Sequence, residues 1–196
     1  MTRTGIWVAA ALTVAALGFS AAALGQAPAA DAWPQPNPET LAPGIQKDTI
    51  LYGRKLFNET YSVIGPEVSD PKMRYSGNNL ACQSCHLQGG TQRFALPMIG
   101  VYGAFPTYMG REDEVRTIEE RIEGCMERSM NGRKLPLDSE EMKAMVSYLQ
   151  FLSTGIPVGA KLDGGGTLKL KPLTRAADPV AGKQVYAATC VACHGD

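Results

Sequence analysis

Apolar residues recur at helical spacing in three separate parts of the chain. The first predicted helix runs from Asp48 to Tyr61. One face of it would carry Leu51, either Leu56 or Phe57, and Tyr61. A loop containing glycine and asparagine follows it. This pattern predicts an amphipathic helix near the start of a folded domain.

The second predicted helix opens at Thr117, which forms a capping-box pattern with Glu120. Its apolar face is formed by Ile118, Ile122, Cys125 and Met126. The pair Asn131-Gly132 is expected to end it.

The third predicted helix opens at Asp138 with Glu141, and Gly155 with Pro157 ends it. Its inward face is formed by Met142, Met145, Val146, Leu149 and Leu152. One helix precedes the loop that contains glycine and asparagine, and a long helix ends the domain. This arrangement resembles that of class I cytochromes c. That resemblance implies an all-α fold in which the two helices cross, with Gly53 and Tyr148 at the crossing.

Changes in composition divide the chain into five parts. Residues 1–25 are expected to be a signal peptide, 26–46 an irregular arm, and 47–155 the first folded domain. Residues 156–176 are rich in Gly, Pro and Lys and are predicted to form a linker over the surface. Residues 177–196 repeat the opening of the first domain and are predicted to begin a second one.

The N-terminus has the features of a secretory signal. Arg3 precedes an uncharged, alanine-rich run from Ile6 to Leu24, and small residues follow. Cleavage is expected after Gly25, with Ala27 as the second choice. The alternative is an uncleaved anchor, although the run is only weakly apolar. In both cases the residues after the signal would lie outside the cytoplasmic membrane, in the periplasm.

The charges of the chain balance. There are 19 basic and 19 acidic residues, so the chain has no basic field that would bind nucleic acid. Its partners are therefore expected among small molecules and other proteins.

The sequence reads CQSCH at 82–86 and CVACH at 190–194. In a C-x-x-C-H motif both thiols add to the vinyl groups of a haem, and the histidine binds the iron. A zinc site would need further His or Cys ligands, and a thioredoxin-like site would not require the histidines. The predicted attachment sites are Cys82, Cys85, Cys190 and Cys193, and the predicted proximal ligands are His86 and His194.

The second motif lies at the end of the sequence. A haem site opening at Cys190 needs further chain to enclose it and to supply a distal ligand. We therefore expect a C-terminally truncated sequence whose second haem site is incomplete. The alternative is a vestigial second site.

Both histidines are used by the motifs, so the distal ligand of the first iron is expected to be Met, Cys or Lys, or the position is open. Cys125 is the one cysteine outside the motifs. The alternatives for Cys125 are a small buried apolar residue or a ligand. The rival methionine ligands are Met98, Met109, Met126 and Met130.

Two arginines lie near Cys125 in the sequence. Arg121 precedes it by one helical turn, and Arg111 lies in the loop upstream. Guanidinium groups beside a thiol would bind an oxyanion and favour the thiolate. Arg116 and Arg128 are instead expected to pair with the glutamates at 119, 120 and 123.

The stretches RIEGCM at 121–126 and NGRKLP at 131–136 lie between two C-x-x-C-H motifs. In this order they resemble the dihaem thiosulfate dehydrogenases. The resemblance implies two haem c groups, His86 and Cys125 on the catalytic iron, and substrate binding by Arg111 and Arg121. It also implies oxidation of two thiosulfate ions to tetrathionate, or the reverse, with a soluble or membrane cytochrome as acceptor.

Two other functions stay open. One is a non-catalytic dihaem electron carrier with methionine ligands. The other is a sulfur-oxidising A-type cytochrome that conjugates thiosulfate to a carrier protein, although that family usually works with a separate cytochrome subunit.

Overall fold

The computed structural model describes residues 33–191 and Gly195. The predicted signal peptide therefore lies outside the described residues. The same is true of Cys193 and His194 in the second motif.

Helices dominate this part of the chain. Between residues 33 and 191 the α-helices are α1 (Ile45–Asn58), α2 (Thr60–Val63), α3 (Leu87–Gly90), α4 (Ile118–Arg128), α5 (Glu140–Leu152) and α6 (Pro179–Thr189). Short 3₁₀ turns are formed by Pro38–Thr40, Pro71–Met73, Cys82–Ser84 and Val101–Ala104. This helix-rich architecture confirms the predicted all-α class.

Strands β1 (Thr107–Met109) and β2 (Glu114–Arg116) form a small antiparallel hairpin before α4. Tyr108 pairs with Val115 in its register. The hairpin was not predicted, because three-residue strands are too short to show an alternating pattern.

Helices α1 and α5 cross in close contact at Gly53. A Cβ atom at this position would lie 2.0 Å from the Ala144 carbonyl oxygen and 2.8 Å from Tyr148 Cβ. Glycine thus lets the two helix backbones meet, and the expected crossing of Gly53 with Tyr148 is confirmed. The Tyr148 hydroxyl also donates a hydrogen bond of 2.8 Å to the Gly89 carbonyl. The crossing is thereby tied to the chain that follows the first haem motif.

Helix α1 begins three residues before its predicted start. Its N-cap is Gly44, with φ 146° and ψ 175°, a conformation that glycine adopts readily. The helix ends at Asn58, and the predicted last turn is the separate helix α2.

Helix α4 begins where its capping pattern predicts. The Thr117 side chain accepts from the Glu120 amide at 3.3 Å, and the Glu120 carboxylate accepts from the Thr117 amide at 2.7 Å. This capping box satisfies donors that the first helical turn leaves free.

In α5 the predicted cap at Asp138 is wrong. Ser139 is the N-cap, and its hydroxyl accepts from the Met142 amide at 3.1 Å.

Two clusters of buried side chains form the core. The first contains Leu56, Ile64, Tyr75, Met126, Met130, Leu135, Met142, Ala144 and Met145. The second contains Ile50, Phe57, Ile99, Ile118, Tyr148, Leu149 and Leu152. Ile122 of α4 and Val146 of α5 pack against both clusters. Helices α4 and α5 therefore connect the two halves of the core.

Helix α6 differs from the others because none of its residues is buried. Its N-cap Asp178 accepts hydrogen bonds of 3.0 Å from the amides of Val180 and Ala181.

No helix in the described part of the chain combines the length and hydropathy needed to cross a bilayer.

Candidate haem-binding site

The first C-x-x-C-H motif folds as a 3₁₀ turn against the end of α1. The Cys82 amide donates to Thr60 Oγ1 at 3.2 Å, and the Gln83 side chain donates to the Asn58 carbonyl at 2.7 Å. Within the turn, the Ala81 amide donates to Ser84 Oγ at 3.1 Å. These bonds fix the turn on the helix, so its thiols are held in defined positions.

The motif faces a cavity of about 430 Å³. Cys82, Cys85 and His86 contribute to its wall. Most other lining side chains are apolar, and they include Phe57, Leu80, Leu96, Val101, Phe105, Ile118, Ile122 and Leu149. A concave apolar space of this size with a few polar groups is typical of a ligand or cofactor site.

The Cys82 thiol lies in an apolar environment. Burial raises its pKa to about 11, against the lowering effect of the Thr60 hydroxyl 3.6 Å away. A neutral thiol or thioether is therefore favoured here over a thiolate. This suits a residue that forms a carbon–sulfur bond.

His86 is oriented by the backbone. Its Nδ1 atom lies 2.6 Å from the Leu96 carbonyl oxygen, and its ring centroid lies 6.0 Å from that of Phe57. A hydrogen bond from Nδ1–H to a carbonyl leaves Nε2 as the nitrogen with a free lone pair. The histidine is thus held in the tautomer that a metal ligand needs.

Cys125 of α4 lines the same cavity as Cys82, Cys85 and His86. It is partly buried, and Arg121 Nη1 donates to its Sγ atom at 3.0 Å. Arg121 forms no salt bridge with the described residues, so carboxylates do not neutralise its charge. A thiol and an uncompensated guanidinium therefore meet in the cavity.

Several methionines also reach the cavity. Met98, Met126 and Met130 line it, as does Met145 of α5, which was assigned to the inward face of its helix but not considered as a ligand. Met109 lies in β1 and is not among the lining residues.

Arg111 lies in the turn between β1 and β2, is exposed, and is not among the residues that line the cavity. The structure therefore brings Arg121, but not Arg111, to the cavity wall. The assignment of Arg111 to substrate binding stays a prediction.

The salt bridges of Arg116 in β2 and of Arg128 in α4 differ from those expected. Arg128 pairs with Glu112 at 2.5 Å, and Arg116 pairs with Glu114, its Nε donating at 2.7 Å. The expected partners of these arginines were wrong because the unpredicted hairpin supplies the carboxylates. Glu123 instead pairs with Lys134 at 3.4 Å.

The donor set fits a haem c group. Two thiols in C-x-x-C spacing, an imidazole with a fixed tautomer and a third thiol face one apolar cavity. Within the described residues, no three His, Cys, Asp or Glu side chains converge as they would in a closed zinc site.

Residues 73–158 match the family model of the SoxA/TsdA cytochrome c domain. Residues 73–158 thus resemble a SoxA/TsdA cytochrome c domain. The matched residues include the first haem motif, Cys125 and most of the residues that line the cavity, and a cytochrome c domain binds haem c. The second motif lies outside the matched residues.

Known relatives agree with this assignment. The chain is 40% identical over 159 residues to a thiosulfate dehydrogenase of Allochromatium vinosum, covering 79% of this chain and 56% of that protein. It is also 40% identical over 147 residues to a thiosulfate dehydrogenase of Psychrobacter arcticus, covering 74% and 42%. The chain thus spans about half the length of these curated relatives.

A solved structure shares the fold. It is the thiosulfate dehydrogenase TsdBA of Marichromatium purpuratum in its as-isolated form, with a TM-score of 0.71 and 31% identity. The superposition covers 85% of this chain and 36% of that one. The matched part of this chain therefore has the cytochrome c fold.

Proposed function

We propose that this protein is a periplasmic cytochrome c enzyme that oxidises two thiosulfate ions to tetrathionate, or catalyses the reverse reaction. The observation that carries the proposal is the position of Cys125, whose thiol shares the haem-binding cavity and accepts a hydrogen bond from Arg121. The thiosulfate dehydrogenases among its relatives support the choice of substrate.

Haem c, when bound, supplies a carrier for one electron at a time. In the proposed ligand set, Cys82 and Cys85 attach it, and His86 and Cys125 are the iron ligands. Cys190, Cys193 and His194 would hold a second haem c, whose distal ligand is not assigned. Electrons would pass from the protein to a soluble or membrane cytochrome.

The arginines would bind the substrate. Arg121, on the cavity wall, presents a planar fork that matches the sulfonate oxygens of thiosulfate. Arg111, exposed in the hairpin turn, would attract the dianion from solution. Their positive charge would also reduce the repulsion between two dianions that must meet.

Cys125, when not bound to the iron, would be the nucleophilic residue. Its thiolate and the terminal sulfur of the first thiosulfate form a sulfur–sulfur bond, and two electrons leave to the cytochrome acceptor. The terminal sulfur of the second thiosulfate then attacks the substrate-derived sulfur bound to Cys125. Tetrathionate is released, and the Cys125 thiolate is restored.

The test is Cys125→Gly in the full-length, haem-loaded protein. We expect the haem to stay attached, because Cys82 and Cys85 are unchanged, and thiosulfate-dependent reduction of an acceptor to be lost. Glu127→Gln is the matched control, since Glu127 lies exposed on the same helix and forms no salt bridge with the described residues. Near-normal turnover by the glycine variant would refute the proposed role of Cys125.

The electron-carrier function is favoured by a different observation, the four methionines that line the cavity. The absorption spectrum of the oxidised protein separates the two functions. Low-spin thiolate features at the first haem support the enzyme, whereas a methionine–iron charge-transfer band as its only distal-ligand signal supports the carrier.

The matched family also includes SoxA, so conjugation of thiosulfate to a carrier protein is a second candidate activity. Tetrathionate formation by the purified protein with only thiosulfate and an electron acceptor would exclude a requirement for a carrier protein.

A further inference from the structure

The predicted linker contains a segment that is hydrogen-bonded to the chain just beyond the first haem motif. We call residues 162–167 the strap. The Phe94 amide donates to the Gly164 carbonyl at 2.8 Å, and the Leu96 amide donates to the Gly166 carbonyl at 3.0 Å. Ala95 and Thr167 form an isolated antiparallel bridge. The strap therefore adds a short strand-like pairing to residues 94–96.

Side chains anchor the strap at its other end. Asp163 forms a salt bridge with Arg93, and the Arg93 guanidinium lies 5.6 Å from the Trp33 ring centroid. Leu162 packs against the second core cluster. These contacts hold the strap to the domain through charge and through apolar packing.

The backbone on both sides of this pairing is unusual. Phe94 and Leu96 have φ values of 60° and 52°, a left-handed conformation that is unfavourable for bulky side chains. Gly164 and Gly166 have φ values of 93° and 100°. Such conformations persist when surrounding bonds hold them. The two backbone bonds from the strap supply that restraint.

Leu96 is also the residue that orients His86. Its carbonyl oxygen lies 2.6 Å from His86 Nδ1, and its amide is bonded to Gly166. Gly166 itself contributes to the wall of the cavity. A displacement of the strap would therefore shift the carbonyl that fixes the imidazole.

We propose that the strap positions His86 through Leu96, with Gly166 as the positioning residue that links them. This rests on the proposed ligation of the first iron by His86. A hydrogen bond from Nδ1–H to a carbonyl increases the basicity of an imidazole ligand, which favours the oxidised metal. Release of the strap should therefore raise the reduction potential of the first haem.

The test compares Gly166→Ala with Gly159→Ala in the full-length, haem-loaded protein. Both glycines have positive φ values, 100° and 76°, and an added Cβ would meet no atom within 4 Å at either position. Both substitutions thus strain the backbone without a clash with other protein atoms, but only Gly166 is bonded to Leu96. The measurements are the midpoint potential and the exchange of the His86 Nδ1 proton with D₂O, followed by NMR after histidine labelling.

We expect Gly166→Ala to raise the potential and accelerate this exchange, whereas Gly159→Ala changes neither. Asp163→Asn should also raise the potential and accelerate the exchange, but by less. It is the variant that tests the strap if Gly166→Ala does not fold. Unchanged potential and exchange in the folded Gly166→Ala protein, or in Asp163→Asn where that variant is the one tested, would overturn the proposal.

The wild-type NMR spectrum separates this proposal from the one on which it rests. If His86 gives no hyperfine-shifted imidazole resonances, its ligation is refuted, and the positioning role falls with it. If it gives them and the strap variants behave like wild type, only the positioning role is refuted.

Discussion

Arg121 Nη1 donates a hydrogen bond of 3.0 Å to Cys125 Sγ, one helical turn further along α4. The pair is local in sequence, yet it lies in the wall of the haem-binding cavity. A guanidinium that donates one N–H to sulfur has other N–H donors for an oxyanion. The geometry thus joins the proposed nucleophile and the proposed anion-binding group in one site.

Replacement of Arg121 by Gln should weaken thiosulfate binding. A hydrogen bond to a charged group contributes about 1.5–3 kcal/mol, which corresponds to a KM roughly 10- to 150-fold higher. Arg121→Lys keeps the charge but loses the planar fork, so its KM should lie between those of wild type and Arg121→Gln. Steady-state kinetics at constant ionic strength measures the effect. A KM equal to wild type in Arg121→Gln would remove Arg121 from substrate binding.

Local patterns predicted the helices that carry this site, and they did so for physical reasons. The capping box at Thr117 acts within one helical turn, so the sequence alone locates the start of α4. The cap of α5 was assigned one residue too early, since Asp138 and Ser139 both have side chains that can cap. Such boundaries depend on which of two adjacent residues adopts the extended conformation.

Contacts distant in sequence could not be predicted. The acceptor for His86 is a backbone carbonyl, which every residue has, so no residue type marks Leu96 for this role. The strap has a Gly-rich sequence that usually indicates a flexible linker, but its carbonyls pair with residues 94–96. The position of Arg111 depends on the hairpin, whose strands have three residues each.

Gly53→Ala should strongly destabilise the domain. The added Cβ would lie 2.0 Å from the Ala144 carbonyl oxygen, and backbone atoms at a helix crossing cannot move away independently. Overpacking of this kind costs about 1–3 kcal/mol or more. The free energy of unfolding from denaturant titration is the measurement.

Gly182→Ala is the matched control for this substitution. Gly182 lies inside α6, and an added Cβ meets no atom within 4 Å there. We expect it to leave the unfolding of the haem domain unchanged. Equal stability of Gly53→Ala and wild type would mean that the α1–α5 contact is looser than the structure shows.

Thr117→Ala should lower stability by about 0.5–2 kcal/mol, because the first turn of α4 loses its side-chain acceptor. Thr117→Ser keeps the hydroxyl and should stay close to wild type. Thermal unfolding followed by circular dichroism compares the three proteins. A similar loss in the serine variant would show that the threonine methyl group, and not the cap, is responsible.

Tyr148→Phe should have opposite effects at neutral and alkaline pH. Burial raises the pKa of Tyr148 to about 12, whereas an unfolded tyrosine titrates near 10. Below pH 10 the ring is neutral in both states, so removal of its bond to the Gly89 carbonyl costs about 1 kcal/mol.

Between pH 10 and 12 only the unfolded chain ionises at this position. The ionisation of Tyr148 in the unfolded chain therefore lowers wild-type stability by about 1.4 kcal/mol at pH 11, and by more as the pH approaches 12. Phenylalanine has no such loss, so the gap between the proteins should close and reverse. Urea unfolding at about pH 8 and about pH 11 measures it, and a gap independent of pH would contradict the prediction.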